Sequence, residues 1–110
     1  FIRSNSIDYL MQCNKKYDFI FLDGSHRSSI VYQEIPLALK LLNPNGIIML
    51  HDYYPENKSL WQDGFVSSGP FTAIERFIKE GQDIKAIPLG ELPWETKYGS
   101  KKTSLAVITK

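Results

Sequence analysis

Two short apolar runs, separated by a segment with helical periodicity, constrain the fold of this chain more than any other feature. The first run lies in 18–22 and the second in 47–50. Neither run alternates apolar with polar side chains, which is typical of strands covered on both faces of a parallel sheet. A strand, a helix and a strand joined by short turns form a right-handed βαβ unit. The sequence therefore predicts an α/β fold with a parallel pair of strands at its core.

Three helices are predicted around these strands. The first is capped by residues 4–6, the second runs from 28 or 29 to 42, and the third opens at Gly69-Pro70. Pro36 lies within the second helix and is expected to kink it or to move its start later. The side chains expected to face the core are Ile7, Leu10 and Met11, then Val31, Ile35, Ala38 and Leu42, then Phe71, Ile74, Phe77 and Ile78.

The remaining segments complete a small mixed sheet. Residues 43–46, Asn-Pro-Asn-Gly, are predicted to be a stop and turn, and 53–69 form a long loop rich in aromatic residues. Two further strands are predicted at 84–89 and 104–109. Because no helix separates them, they should pair antiparallel. The expected sheet has about four strands, two parallel and two in a carboxyl-terminal antiparallel pair, with flanking helices.

Composition bounds the class of protein. The chain has 110 residues and a net charge of +1, which predicts neither nucleic acid nor an acidic membrane as a partner. No apolar stretch reaches the roughly 20 residues that a membrane span needs. The single cysteine, Cys13, forms no intrachain disulfide and suits a reducing compartment, so the predicted location is cytoplasmic. Phe1-Ile2 resembles the end of a strand whose beginning is missing, which predicts that 1–110 is one partial domain.

Ionisable side chains follow both apolar runs at the point where each strand ends. Asp23 and His26 come after the first strand, and His51 and Asp52 end the second. Ligands of open parallel sheets lie beyond the carboxyl ends of the strands, and adjacent strands are only about 4.8 Å apart. Two carboxylates held that close repel each other unless a cation or a ligand amine lies between them. The alternative is that both aspartates cap helices or loop amides.

Three segments carry a resemblance to a known family. Residues 17–26, with Asp-Gly-Ser-His at the strand end, resemble the fourth-strand motif of class I S-adenosylmethionine-dependent methyltransferases. Residues 41–53, ending in His-Asp-Tyr, resemble the fifth strand of a subgroup with Asp-Gly-any-His and His-Asp-Tyr strand ends, and 105–110 match the closing antiparallel pair. The resemblance implies a truncated Rossmann-like methyltransferase fold, the carboxyl-terminal half of the domain, and S-adenosylmethionine as cofactor.

The same resemblance assigns roles to individual residues. Asp23 would lie beside the methionine part of the cofactor, close to the reacting methyl group. Asn5 and Ser6 would contact the adenine ring, the alternative being simple helix capping. Metal-dependent members bind a divalent cation at positions matched by Asp23 and Asp52, with Mg²⁺ as the candidate. The position after Asp52 usually carries an amide or carboxylate, and Tyr53 departs from that pattern.

His26 and His51 are candidates for a general base or for residues that support one. His51 is equally consistent with a partly buried, satisfied histidine, whereas His26 lies three residues past Asp23 and just before a helix. Methyl transfer is expected to a small-molecule acceptor, at oxygen, with the aromatic loop 53–69 as a lid. The chain contains no Gly-x-Gly-x-x-Gly turn and no ribose-binding acid that follows it, so it is expected to supply only part of the site.

Two other function classes stay open on the residues alone. One is a metal-dependent hydrolase that uses Asp23, His26, His51 and Asp52 as a mixed ligand set. The other is a non-catalytic half-domain that assembles through its sheet edge. Strand 18–22 is an apolar edge free of proline and lysine, so we expect a homo-oligomer through this edge or through an adjoining apolar helix face.

Overall fold

A computed structural model describes residues 4–109, so the strand end predicted at Phe1-Ile2 lies outside the described part of the chain. In chain order the elements are α1 (Ser6–Gln12), β1 (Tyr17–Leu22), α2 (Ser28–Lys40), β2 (Leu42–Leu50), a 3₁₀ turn (Pro55–Asn57), α3 (Gly69–Lys79), β3 (Lys85–Pro88) and β4 (Ala106–Thr109). The sheet order is β1-β2-β4-β3. β1 and β2 are parallel, and β4 pairs antiparallel with both β2 and β3. The predicted mixed α/β sheet is confirmed.

The predicted stop at 43–46 is wrong, because β2 already begins at Leu42. Tyr17 pairs with Leu42, whereas Phe19 pairs with Ile47, so the intervening residues form a bulge within the strand. Asn45 has a positive φ of 70°, which the bulge requires. A Cβ at Gly46 would lie 3.2 Å from the Asp18 carbonyl oxygen, so the backbones approach closely there. The turn-forming residues therefore bend a strand without ending it.

The second helix differs from its prediction in two ways. α2 begins at Ser28 and continues through Pro36, so the proline does not move its start. Burial of Val31 and Ile35 (1% and 0% exposed) stabilises the turns around the proline, since packing of an apolar face outweighs local propensity. Leu42, assigned to the helical stripe, is instead the first residue of β2, and Leu39 is buried on α2 in its place.

The third helix follows its prediction apart from one side chain. Phe71, Ile74 and Phe77 are buried, as expected, but Ile78 is 50% exposed. Successive helical residues lie about 100° apart around the axis, so a helix that buries Phe77 turns Ile78 toward its flank. Ala73 is buried on α3 as well, and the helix ends before Gly81, whose φ of 77° suits a carboxyl-terminal cap.

The two faces of the sheet have different surroundings. One face packs against α2 and α3 and forms the core, and its buried strand residues are Leu22, Ile48, Leu50, Ala106 and Ile108. On the opposite face Phe19, Phe21 and Ile87 are more than half exposed. The functional residues lie at the carboxyl ends of β1 and β2, at the edge of the covered face.

Candidate active site at two strand ends

Parallel pairing of β1 with β2 brings the two strand-end motifs together. Leu22 and Leu50, the last residues of the two strands, are register partners. The His51 backbone N–H donates to the Leu22 carbonyl oxygen at 3.1 Å, which continues the ladder one residue beyond the strands. Asp23 and His51 therefore leave the sheet side by side.

The four predicted side chains form one cluster. His51 Nδ1 lies 2.8 Å from Asp23 Oδ1 and 3.1 Å from Asp52 Oδ2, and His26 Nδ1 lies 2.7 Å from the same Asp52 oxygen. The Asp23 side chain is 46% exposed and the Asp52 side chain only 11%. Asp23 is thus open to a ligand, whereas Asp52 forms the floor of the cluster beneath both imidazoles.

The orientation of His51 is unusual for a histidine between two carboxylates. Its Nδ1 is buried and has no hydrogen-bond partner within residues 4–109, although both carboxylate oxygens are within 3.1 Å. Neither oxygen therefore lies in line with the ring N–H direction. The centre of the Phe21 ring lies 6.4 Å from that of the imidazole, and the two rings are nearly perpendicular. His51 Nδ1 therefore lies close to both carboxylates without a hydrogen bond to either.

The chain direction changes at Asp52. Its φ of 59° lies in the left-handed region, which aspartate tolerates better than most residues and which is common at functional sites. The next residue, Tyr53, packs its ring against Phe71 at 5.4 Å, and its N–H donates to the Ser104 carbonyl oxygen. Burial raises the pKa of the Tyr53 phenol above its ordinary value. Tyr53 belongs to the core, so this position contributes no oxygen ligand to the cluster.

His26 is held by the start of α3. A Cβ placed on Gly69 would lie 1.6 Å from the His26 carbonyl oxygen, so only glycine permits this contact. The His26 side chain is 64% exposed, with Nδ1 directed at Asp52. The arrangement fixes the backbone of His26 and leaves its other ring nitrogen accessible.

Comparison with known proteins shows which family the amino-terminal half of the chain resembles. Residues 1–53, which include every residue of the cluster, match the model of a family described as a methyltransferase domain. The strand-end cluster therefore lies in a segment that is similar to a methyltransferase domain. It is also 37% identical over 59 residues to the ribosomal RNA small subunit methyltransferase D of Buchnera aphidicola subsp. Baizongia pistaciae. That alignment covers 52% of this chain and 30% of the relative, so the chain spans about a third of the relative's length.

The family match bears on the expectations from the sequence. It confirms the class I methyltransferase resemblance and favours methyl transfer over the metal-dependent hydrolase. The family implies S-adenosylmethionine as the cofactor. None of the helices within the described residues has the length and apolarity that a membrane crossing requires.

The chain has a cavity of about 260 Å³ directly beside the cluster. Its lining residues are His51, Asp52, Tyr54, Trp61, Thr96, Lys97, Lys102, Thr103 and Ser104. Lys97 Nζ lies 4.2 Å from the centre of the Trp61 ring and 3.4 Å from Asp63 Oδ2, so the lysine is held at the wall. Tyr54 lines the cavity as a buried residue, and burial raises the pKa of its phenol.

The sequence did not indicate the wall formed by 96–104. These residues reach the site through a hairpin extension. In it the Leu92 N–H donates to the Lys101 carbonyl oxygen, and the backbones of Glu91 and Lys102 form an antiparallel β-bridge. No residue in this wall belongs to a recognisable motif. The aromatic loop 53–69 was the available signal, and it forms the opposite wall through Tyr54 and Trp61.

The residues assigned to the adenine ring lie at the start of α1. Asn5 Oδ1 accepts from the backbone N–H of Ile7 at 2.9 Å and of Asp8 at 3.4 Å, so Asn5 is the helix cap. The Ser6 side chain lies near the carboxyl of Glu34, a residue that is only 2% exposed, and acts to lower the pKa of that carboxyl. Glu34 in turn lies 3.9 Å from the position of a Cβ on Gly24.

Glu34 is a buried residue beside the candidate site that sequence reasoning missed. Burial raises the pKa of its carboxyl, and the nearby Ser6 side chain opposes that shift. Its position on α2, between Val31 and Ile35 on the buried face, was the available signal. Through Glu34 the start of α1 contacts the turn after β1, which brings the predicted cofactor residues to the same edge as the cluster.

Proposed function

We propose that the protein carrying this chain transfers a methyl group from S-adenosylmethionine to an oxygen of a small-molecule acceptor. This chain supplies the carboxyl-terminal part of the site. The observation that carries the proposal is the cluster of two carboxylates and two imidazoles at adjacent strand ends, opening onto a cavity of about 260 Å³. Such a cavity suits part of a small organic acceptor.

The donor side is formed by Asp23 with Asn5 and Ser6. When bound, S-adenosylmethionine supplies an electrophilic methyl group on a sulfonium centre. Asp23 is the exposed carboxylate of the cluster and can neutralise positive charge on the methionine part. The side-chain Oδ1 of Asn5 is used as the helix cap, which leaves the Nδ2 amide as a donor toward an adenine ring nitrogen.

We assign removal of the proton from the acceptor to His26. Its Nδ1 faces Asp52 at 2.7 Å, an arrangement that orients the ring and stabilises the imidazolium after proton uptake. Nε2 is then the free base, on a side chain that is 64% exposed. Asp52, nearly buried beneath the imidazole, is the positioning residue for this step.

The carboxylates also fit a divalent cation. Asp23, His51 and Asp52 each offer a ligand atom, and these atoms lie within 4.8 Å of one another. The unpartnered His51 Nδ1 is the observation that favours a cation there. Two aspartates alone would favour Mg²⁺, with water and acceptor oxygens completing the octahedron. The cation would polarise the acceptor oxygen and lower the pKa of its proton.

A ribosomal RNA acceptor is the second candidate, because the relative from Buchnera is named a ribosomal RNA methyltransferase. Lys97 and Lys102 at the cavity could pair with phosphate. A net charge of +1 offers little of the counterion release that drives RNA binding, so the small-molecule acceptor is preferred.

The proposal is tested with labelled S-adenosylmethionine and the protein carrying this chain. Label should pass to hydroxylated small molecules and not to ribosomal RNA. His26→Gln should lower turnover by about 10²–10⁴-fold while leaving donor affinity unchanged, because it removes only the base. Transfer to RNA alone would overturn the small-molecule assignment. Undiminished turnover in excess chelator would remove the cation from the proposal.

Assembly is proposed from the uncovered strand β1. Within residues 4–109, β1 pairs only with β2, and Phe19 and Phe21 on its open face are 52% and 51% exposed. An apolar edge of this kind favours pairing with a second copy of the chain. We propose a homo-oligomer through this edge.

A further inference from the structure

The position of His51 carries an inference about the chemical identity of the cation. Nδ1 is buried, lies 2.8 Å from Asp23 Oδ1 and 3.1 Å from Asp52 Oδ2, and donates to neither. An imidazole between two carboxylates would normally align its N–H with one of them, since a buried donor without a partner is unfavourable. The ring is instead directed between the two oxygens.

These distances match those of neighbouring ligands on one ion. Two ligands at right angles on an octahedral cation with bonds of about 2.1 Å are about 3.0 Å apart. Each oxygen would then lie about 45° from the direction of the Nδ1 lone pair, too far off-line for a hydrogen bond. Distances of 2.8 and 3.1 Å without hydrogen bonding fit this arrangement.

We propose that His51 Nδ1 is the third protein ligand of a cation site with Asp23 and Asp52, and that the site selects a transition-metal ion over Mg²⁺. An imidazole nitrogen suits zinc, iron, cobalt and nickel, whereas Mg²⁺ prefers oxygen. Tyr53, where an oxygen ligand would be usual, is turned into the core and leaves His51 to supply the third donor.

His26 provides the internal control. Its Nδ1 contacts the same Asp52 oxygen at 2.7 Å, but its side chain is 64% exposed and it does not belong to the group of converging ligand atoms. His26 supports Asp52 from outside the site, as the outer partners of metal-binding carboxylates do. The two histidines of this chain thus have different roles toward one cation.

The test uses Co²⁺ and Mg²⁺ on the 110-residue chain, without methyl donor or acceptor. Calorimetry should give tighter binding for Co²⁺ than for Mg²⁺. Proton NMR of the Co²⁺ form should show a strongly shifted, exchangeable imidazole N–H resonance from His51. His51→Gln should remove that resonance and weaken Co²⁺ binding at least about tenfold, since loss of an outer partner alone costs that much. His26→Gln should retain the resonance.

A second variant guards against misfolding. His51→Asp keeps three ligands but makes all of them oxygen, so it should bind Mg²⁺ more tightly than the wild type and lose the preference for Co²⁺. Circular dichroism confirms that each variant is folded. A shifted resonance that survives in His51→Gln, or a wild-type chain that binds Mg²⁺ as tightly as Co²⁺, would overturn the proposal. The inference rests on the proposed site but not on its reaction: failure of methyl transfer with Co²⁺ binding intact would refute only the reaction.

Discussion

The two faces of the sheet are built from similar residues but have different surroundings. On the face covered by α2 and α3, Ile48 and Ile108 are fully buried. On the opposite face, Phe19 and Ile87 are more than half exposed, although both are as apolar as their buried counterparts. A strand whose two faces are equally apolar is suited to a sheet covered on both sides. The comparison teaches that the continuous apolar runs are suited to strands covered on both faces. Within residues 4–109, helices cover only one of the two faces.

The largest effect expected from this comparison is on stability. Ile48→Ala, on the covered face, should lower the free energy of unfolding by about 2–5 kcal/mol because it leaves a cavity in the core. Ile87→Ala, the same change on the exposed face, should cost less than about 1 kcal/mol. Urea denaturation of both variants measures the difference, and equal losses would mean that the two faces are equally buried in solution.

The second effect concerns self-association. Phe19→Ser should shift the chain toward monomer, because it places a hydroxyl on the apolar face beside the open edge of β1. Phe65→Ser, an equally exposed phenylalanine in the loop, is the matched control and should leave association unchanged. Light scattering coupled to size exclusion decides the matter. A wild-type chain that stays monomeric from micromolar to millimolar concentration would contradict the proposed assembly.

The smallest effect concerns the pH dependence contributed by Glu34 on the covered side. Its carboxyl has a raised pKa in the folded chain, chiefly through burial. The folded state therefore binds the proton more tightly than the unfolded state, and stability falls as pH rises above the ordinary value of 4.5. Glu34→Gln removes this fall, so the stability of the variant relative to wild type should increase from pH 4 to pH 8.

Unfolding in urea at several pH values provides the measurement, with the exposed residue Glu91→Gln as control. If wild type and Glu34→Gln kept a constant difference in the free energy of unfolding across this range, the raised pKa of Glu34 would be refuted.

Much of the fold could be predicted because the apolar patterns carry it. Parallel pairing of β1 with β2 and the closing antiparallel pair both follow from which strands have a helix between them. The bulge at 43–46 could not be predicted, because Asn-Pro-Asn-Gly forms a turn equally well between elements or within a strand. The exposure of Ile78 reflects which side of α3 meets the sheet, and that depends on tertiary contacts.

The candidate site divides in the same way. Proximity of Asp23, His26, His51 and Asp52 follows from parallel strands ending at one edge. The contact of Gly69 with His26 depends on the docking of α3, and the orientation of His51 depends on tertiary packing at the strand ends. No local motif encodes either of them. The roles predicted for Asn5 and Ser6 toward adenine remain predictions, with the capping bond of Asn5 now placed on one of its two polar atoms.

The central claim is that the cluster at the ends of β1 and β2 performs methyl transfer, and one measurement tests it most directly. Turnover with labelled S-adenosylmethionine is compared between the protein carrying this chain and its Asp23→Ala variant, with Asp83→Ala, in an exposed loop, as control. Asp23→Ala should lower turnover by at least about 100-fold, since the proposed role of Asp23 places its charge beside the reacting methyl group. Asp83→Ala should match wild type. Near-normal turnover in Asp23→Ala would contradict the account.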